Sequence, residues 1–301
     1  MKLHQNVIHE LAVRPGAAAG LGSRSTTGTR TDWLGSIGHA SPKDVAEHDL
    51  EVFKQELESA QELLYASDTW ALLLIFQALD AAGKDGTIKH VMSGVNPQGC
   101  EVVSFKQPSA EELRHDFLWR CAKALPERGR IGIFNRSYYE EVLVVRVHPE
   151  LIAQQNLPHG TELGAPLWRE RYEDINAFEQ HLARNGTRVV KFFLHVSQGE
   201  QRRRLLARLD DPAKQWKFSP SDIAERAHFD DYQQAYEQTL TATSTPWAPW
   251  YVIPADHKPA MRALVGGIVV DVIDQLHLDL PTVDPEQAAA LDQARQTLLS
   301  Q

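Results

Sequence analysis

The segment Leu73-Leu74-Ile75-Phe76-Gln77-Ala78-Leu79-Asp80-Ala81-Ala82-Gly83-Lys84-Asp85-Gly86-Thr87 concentrates more chemistry than any other stretch of the chain. An apolar run leads into a loop of small residues, then Gly-Lys, then a helical pattern. This order suits a phosphate group. Small residues let backbone N–H groups turn towards the anion, the helix N-terminus adds its positive end, and a lysine supplies a mobile charge. Ala81, Ala82, Gly83, Lys84, Asp85, Gly86 and Thr87 are therefore the phosphate-binding candidates. The pattern G-x-x-x-x-G-K-[ST] is met imperfectly: Ala78 stands for the first Gly, and Asp85 for the Ser/Thr whose hydroxyl ordinarily reaches Mg2+. Asp85 speaks against an ordinary ATP-hydrolysing site. Asp80, inside the loop, has two readings: a metal ligand or acceptor-positioning group, or a turn residue bonding its own backbone.

A second polar cluster follows the apolar stretch Ile131–Asn135. At the carboxyl edge of an open sheet, Arg136 would clamp phosphate oxygens with its planar fork; the alternative is a structural salt bridge with a neighbouring acid. A third cluster lies between Gln201 and Lys217, where Arg202, Arg203, Arg204, Arg208, Lys214 and Lys217 face only Asp210 and Asp211. The chain as a whole carries a net charge of −9, so this is a focused basic segment rather than the general basic surface of a nucleic-acid binder. Arg204 and Arg208, four residues apart on one helical face, are candidates to grip a phosphate chain together. Pro212 and Pro220 interrupt the segment, which reads as a closing lid over about 208–228 carrying Lys214, Trp216 and Lys217. Trp216 and Phe218 would either stack near a base or serve as core or hinge residues.

The elements that must position these groups alternate. Strands are expected at Trp70–Gln77, Glu101–Phe105, Ile131–Asn135, Arg188–Val196 and Trp250–Ile253. Most are apolar without polar alternation, as in parallel strands covered on both faces. Helices are expected from Ser41 (an N-cap followed by Pro42) to Tyr65, from the Ser109–Glu112 capping box to Ala124, and over Leu167–Arg184, Pro220–Thr241 and Pro259–Leu276. A short helix is expected near Pro285–Leu299. The alternation predicts an α/β fold with a doubly wound parallel sheet of about five strands. Residues 1–40, rich in Gly, Ser, Thr and Ala, read as a flexible arm able to wrap the body or a partner subunit. The rest divides into a catalytic domain at 41–280 and a tail at 281–301. A hydrophobic fraction of 43% and a longest apolar run of Trp70–Phe76 exclude a membrane-spanning helix. Without a secretory leader pattern, a cytoplasmic protein is expected. Cys100 and Cys121 make no disulfide framework. The 13 histidines show no metal-site spacing, and His90, His115 and His148 read as surface or satisfied core residues.

Four ordered blocks spanning about 41–276 resemble the polyphosphate kinase 2 family. The first is Asp80-Ala81-Ala82-Gly83-Lys84-Asp85-Gly86-Thr87 with Asn96-Pro97-Gln98-Gly99, similar to the family's Walker A loop with its Asp-x-x-Gly-Lys core. Ile131–Glu140 resembles its Walker B segment, Asp210–Ser219 its lid, and Ala248–Asp256 a further block. The resemblance implies a three-layer α/β/α P-loop kinase-like fold with a helical lid. It also implies Mg2+-dependent, in-line transfer of phosphate from inorganic polyphosphate to AMP and/or ADP, giving ADP or ATP. Catalysis would then rest on Asp80, Lys84 and Arg136. Mg2+ would be held by Asp80 and by Asn135, where the family pattern has Asp. Glu140 looks like the AMP-accepting branch and would bear on nucleotide selectivity; the alternative is an ordinary exposed helix residue. A homo-oligomer is implied as well, while the net charge and the short apolar runs predict neither nucleic-acid nor membrane partners. Two other readings stay open: an ATP-dependent nucleotide or small-molecule kinase, and a polyphosphate- or nucleotide-binding protein without catalysis, motivated by Asn135.

Overall fold

The computed structural model describes residues 3–28 and 41–301. The chain runs α1 (Gln5–Leu11), α2 (Pro42–Ser67), β1 (Ala71–Gln77), α3 (Lys84–Val91), β2 (Cys100–Ser104), α4 (Trp119–Ala122), β3 (Ile131–Asn135), α5 (Val144–Val147), α6 (Ala165–Arg184), β4 (Thr187–His195), α7 (Gln198–Asp210), α8 (Pro220–Arg226), α9 (Phe229–Thr243), β5 (Trp250–Pro254), α10 (Lys258–Asp274) and α11 (Pro285–Leu299), with single 3-10 turns between some of them. The five strands form one sheet in the order β2-β3-β1-β4-β5, every pairing parallel. β1 is buried along its whole length, as its unbroken apolar run requires. Helices flank the sheet. α2 packs along α10, where a Cβ added to Gly267 would come within 3.0 Å of the Phe53 ring; the absent side chain allows the close approach. On α6, Glu179 meets Lys191 of β4, and α9 lies beside α6. The α/β class and doubly wound parallel sheet expected from the sequence are what the chain adopts.

Register fixes the site. Phe76 pairs with Asn135, so β1 and β3 end side by side, and the Arg136 amide donates to the Phe76 carbonyl at 3.0 Å. The loops after both strands therefore emerge at one edge, where open α/β sheets bind ligands.

Three local expectations are corrected. Residues 3–28 are a packed segment and not a flexible arm. Val7, Ile8, Leu11, Val13, Ala19 and Leu21 are buried, Ala12 bridges Tyr251, and Arg24 donates to the carbonyls of Glu10, Leu11, Ala12 and Ala19. Residues 29–40 lie outside the described residues. The Ser109–Glu112 capping box forms, but no helix to Ala124 follows it. The chain turns extended at His115, and Asp116 accepts from the Leu118 amide to start a new short turn. The expected Pro220–Thr241 helix is two helices, broken at Ala227-His228. α11 forms over the expected residues with none of its side chains buried. No helix among the described residues is long and apolar enough to cross a membrane.

Candidate active site

β1 delivers the chain into the loop 78–83, and α3 begins at Lys84. Two positive φ values tighten the loop: +62° at Ala81, uncommon for a residue with a Cβ, and +109° at Gly83, where Gly is at home. The first intrahelical bond of α3 is from Thr87 N–H to Gly83, so the amides of Lys84, Asp85 and Gly86 have no acceptor within the helix. They carry the helix's positive end towards the cleft. Lys84 folds back beneath the loop, donating from Nζ to the Ala78 carbonyl at 2.8 Å. Burial, then the nearby Arg136 charge, pulls its ammonium down to about 8, against the opposing pull of Asp80, Glu140 and Asp85.

Arg136 stands at the end of β3 with φ +66°. Its guanidinium spans two acids: one Nη donates to Asp80 at 2.8 Å, the other to Glu140 at 3.1 Å. Glu140, then Asp80, raises its pKa further. With its amide oriented to suit both neighbours, Gln77 donates to Glu140 at 2.8 Å. Asn135 donates to Asp85 at 2.7 Å, which leaves the Asn135 Oδ1 as acceptor.

These groups open onto two cavities. A cleft of about 790 Å³ is lined by the loop from Asp80 to Gly86 and by Asn135, Arg136, Arg208, Lys214, Lys258 and Arg262. A neighbouring pocket of about 570 Å³ is walled by Val144, Leu113, Tyr232, Tyr236, His148 and Glu140. Asp80 and Arg136 line both, so the ion pair forms the neck between a cation-rich cleft and a partly aromatic pocket. Residues from the expected lid segment reach both cavities, Arg208 the cleft, Glu225 the pocket and Asp222 the two together. Asp222 lines both cavities and pairs with Arg208 at 2.9 Å, while Glu225 takes His148 at 3.0 Å and the Tyr232 hydroxyl at 2.7 Å.

Most sequence-predicted residues are thus brought together, with exceptions. Thr87 is fully buried, its hydroxyl donating to the Gly83 carbonyl at 3.0 Å, so its side chain supports the loop and does not face phosphate. Arg204 lines the cleft, but its N–H groups are spent on protein acceptors: Glu200 at 2.6 Å and the carbonyls of Ala81, Ala82, Ala255 and Asp256 at 3.2, 2.6, 2.5 and 3.2 Å. The expectation that it grips phosphate beside Arg208 is corrected, because no N–H remains to donate. Trp216 is 78% exposed, donates to the Ala213 carbonyl and lines neither cavity. The Lys217 side chain lies outside the described residues.

Sequence reasoning gave the cations of α10 no role, although Lys258 follows directly on the last expected strand, and it passed over Arg262. Lys258 and Arg262, one helical turn apart, line the cleft; burial and mutual repulsion with Arg204 lower both. Arg262 Nε is buried without a hydrogen bond. Position immediately after β5 was the available signal. Also missed was the support under Arg136. The Tyr138 and Tyr139 hydroxyls both donate to Glu179 at 2.8 Å, and Lys191, fully buried, donates to Glu179 at 2.5 Å, to Tyr139 at 2.9 Å and to the Thr243 carbonyl at 2.8 Å. Nothing local marks Tyr138 and Tyr139 for this role, because their charged partners come from the distant elements α6 and β4. Among the described residues no group of three or more His, Cys, Asp or Glu has metal-binding geometry.

A parallel sheet in this order, with a glycine-lysine loop after its central strand and a cation-lined cleft at its carboxyl edge, defines a phosphate-handling α/β protein of the P-loop type. Comparison with known proteins narrows this. The family model for polyphosphate kinase 2 matches residues 40–280. The chain is 55% identical over 245 residues to the ADP-polyphosphate phosphotransferase of Rhodopseudomonas palustris, covering 81% of this chain and 85% of that one. It is 46% identical over 247 residues to the AMP/ADP-polyphosphate phosphotransferase of Meiothermus ruber, covering 82% and 87%. The crystal structure of polyphosphate kinase 2 from Arthrobacter aurescens superposes with a TM-score of 0.84 at 37% identity, covering 97% of this chain and 99% of that one. The chain belongs to the polyphosphate kinase 2 family.

Proposed function

We propose that this protein transfers a phosphoryl group from inorganic polyphosphate to ADP and to AMP, giving ATP and ADP, with Mg2+ as cofactor. The observation that carries the reading is the neck: one ion pair, Asp80–Arg136, joins a cation-lined cleft to a separate pocket with apolar and aromatic walls. A polyphosphate chain suits the cleft, where Lys84, Arg208, Lys214, Lys258 and Arg262 supply positive charge along its length. A nucleotide suits the pocket, with its terminal phosphate at the neck. The names of the two relatives support both acceptors.

The residues at the neck also fit a magnesium ion. Asp80, Asp85 and the Asn135 carbonyl are hard oxygen donors lining the cleft, and Mg2+ is usually held by one or two carboxylates with waters and substrate phosphates completing its shell. Asp80 and Asn135 would hold it, and when bound it neutralises charge on the phosphate oxygens. The chain's own groups do the rest. Loop amides and Lys84 orient the donor phosphate, and Arg136 sits where it can leave its acids to grip the transferring group. The acceptor phosphate, with its second pKa of about 6, is largely ionised at neutral pH and needs no general base. We further propose that the enzyme works in the cytoplasm as a homo-oligomer, which light scattering on the purified protein tests. The activity itself is tested by incubating the protein with Mg2+, polyphosphate and either ADP or AMP and following the nucleotides formed. Phosphate transfer from ATP alone would replace this reading with that of an ATP-dependent kinase.

A further inference from the structure

Arg204 arises from α7, the helix that leads into the expected lid segment, yet its side chain reaches under the phosphate loop. It is 8% exposed, and its whole donor fork is filled. Four of the five acceptors are backbone carbonyls, two from the loop (Ala81, Ala82) and two from the turn after β5 (Ala255, Asp256). Glu200, one turn earlier on α7, holds Nε at 2.6 Å and fixes the plane of the fork. The turn it grips is itself tethered. The Asp256 carboxylate accepts from the Ser197 amide at 2.8 Å and from the Thr26 hydroxyl at 2.7 Å.

The consequence for the site follows from the planarity of the peptide group. In a trans peptide the C=O and the next N–H point in opposite directions. A carbonyl drawn onto Arg204 therefore sends the following amide the other way. The Ala82 carbonyl is held at 2.6 Å, which aims the Gly83 N–H away from Arg204 and towards the cleft. The same fork braces Ala81, whose φ of +62° is a costly conformation for a residue with a Cβ and persists only when its surroundings impose it. We infer that Arg204 is a positioning residue: it orients the amides of the phosphate loop for the transferring phosphate and does not bind polyphosphate itself. This rests on the phosphotransferase reading above for its kinetic arm alone.

The test compares Arg204→Lys, Arg204→Ala and Arg208→Ala in the full-length protein. Lysine keeps the charge but cannot span four carbonyls. Arg204→Lys is expected to lower kcat by about 10²-fold, as sub-ångström misplacement of reacting groups does, with KM for the nucleotide unchanged. Arg208→Ala is expected to raise KM for polyphosphate instead. Methylguanidinium added to Arg204→Ala, well below denaturing concentrations, should restore part of the lost rate, because it can refill the fork. Amide exchange, read without substrate, should quicken at Ala82 and Thr87, whose N–H groups donate to the Leu79 and Gly83 carbonyls, in both Arg204 variants and stay at the wild-type rate in Arg208→Ala. Wild-type kcat in Arg204→Lys, absence of methylguanidinium rescue in a folded Arg204→Ala, or unchanged exchange in the loop would each overturn the assignment. If the wild-type protein makes no ATP from polyphosphate, the functional reading fails while the exchange measurement still decides the role of Arg204.

Discussion

Lys84 is a buried ammonium at the phosphate loop whose proposed role ties activity and stability to one proton. Its ammonium is buried and drawn down to about 8, so the free enzyme loses this charge as pH rises through that value. The rate at low polyphosphate is therefore expected to fall above about pH 8, and a bound phosphate chain should shift the fall upward. The linkage to folding has the opposite sense. The folded pKa lies below the unfolded one, so the unfolded chain binds more protons between about 8 and 10.5, and stability from this group rises with pH across that window. Lys84→Met is expected to lose turnover by roughly 10²–10³-fold yet melt roughly 2–4 °C higher at pH 7, the gain fading towards pH 10.5. A melting scan across pH checks the second half independently of activity. Glu140 invites a different experiment. Its carboxylate occupies one side of the Arg136 fork at the wall of the pocket proposed for the nucleotide, and in that proposal it would supply negative charge that AMP, with one phosphate fewer than ADP, lacks. Glu140→Gln should lower the AMP rate by about tenfold more than the ADP rate, the worth of one charge-assisted hydrogen bond. An unchanged AMP to ADP ratio would remove Glu140 from selectivity.

The strands and helices that carry these residues were legible where the signal was local. The apolar runs of β1, β3 and β5, the Ser41-Pro42 start of α2 and the Gly186 after α6 all appear in the structure, because burial on both faces and terminal capping leave marks within a few residues. Legibility failed where a distant partner decides. The capping box at Ser109 formed without its helix, since Asp116 offered the next turn a competing bond. Arg204 was misread because spacing along α7 says which residues share a face but not that the face points under the loop. The Glu179–Lys191 pair was invisible for the same reason, its members lying on α6 and β4. That pair, with both side chains fully buried, supports the turn that bears Arg136 and Glu140. Removing one partner strands a buried charge. Lys191→Met or Glu179→Leu alone should destabilise by about 3–5 kcal/mol, whereas the double substitution should recover much of the loss. Chemical denaturation of the three variants measures this, and additive losses would show that the pair does not act as a unit.

The molecule as a whole reads as one body clamped along its sheet edge by its own N-terminal segment. Residues 3–28 lie outside the span matched by the family model, yet they bury apolar side chains, bond Gly20 and Leu21 amides to Glu237 at 2.8 and 2.7 Å, and reach Asp256 through Thr26. Composition alone concealed this, because a stretch rich in Gly, Ser and Ala looks the same whether free or anchored by a few apolar side chains. Arg24 holds the segment's own carbonyls together, so Arg24→Ala leaves several acceptors unmet and should cost about 1–3 kcal/mol in a denaturation experiment. The gathering of Asp80, Gly83, Lys84 and Arg136 at one sheet edge, by contrast, was expected from the sequence and follows from β1 and β3 ending in register, whereas the second pocket walled by Tyr232 and Tyr236 left no local mark. The most direct check on this convergence is ATP production from ADP and inorganic polyphosphate in the presence of Mg2+, measured for the wild-type protein beside Asp80→Ala and Lys84→Ala. ATP should form with the wild type and fall by orders of magnitude in both folded variants. Absence of ATP with the wild type, or near-normal rates in either variant, would contradict the account.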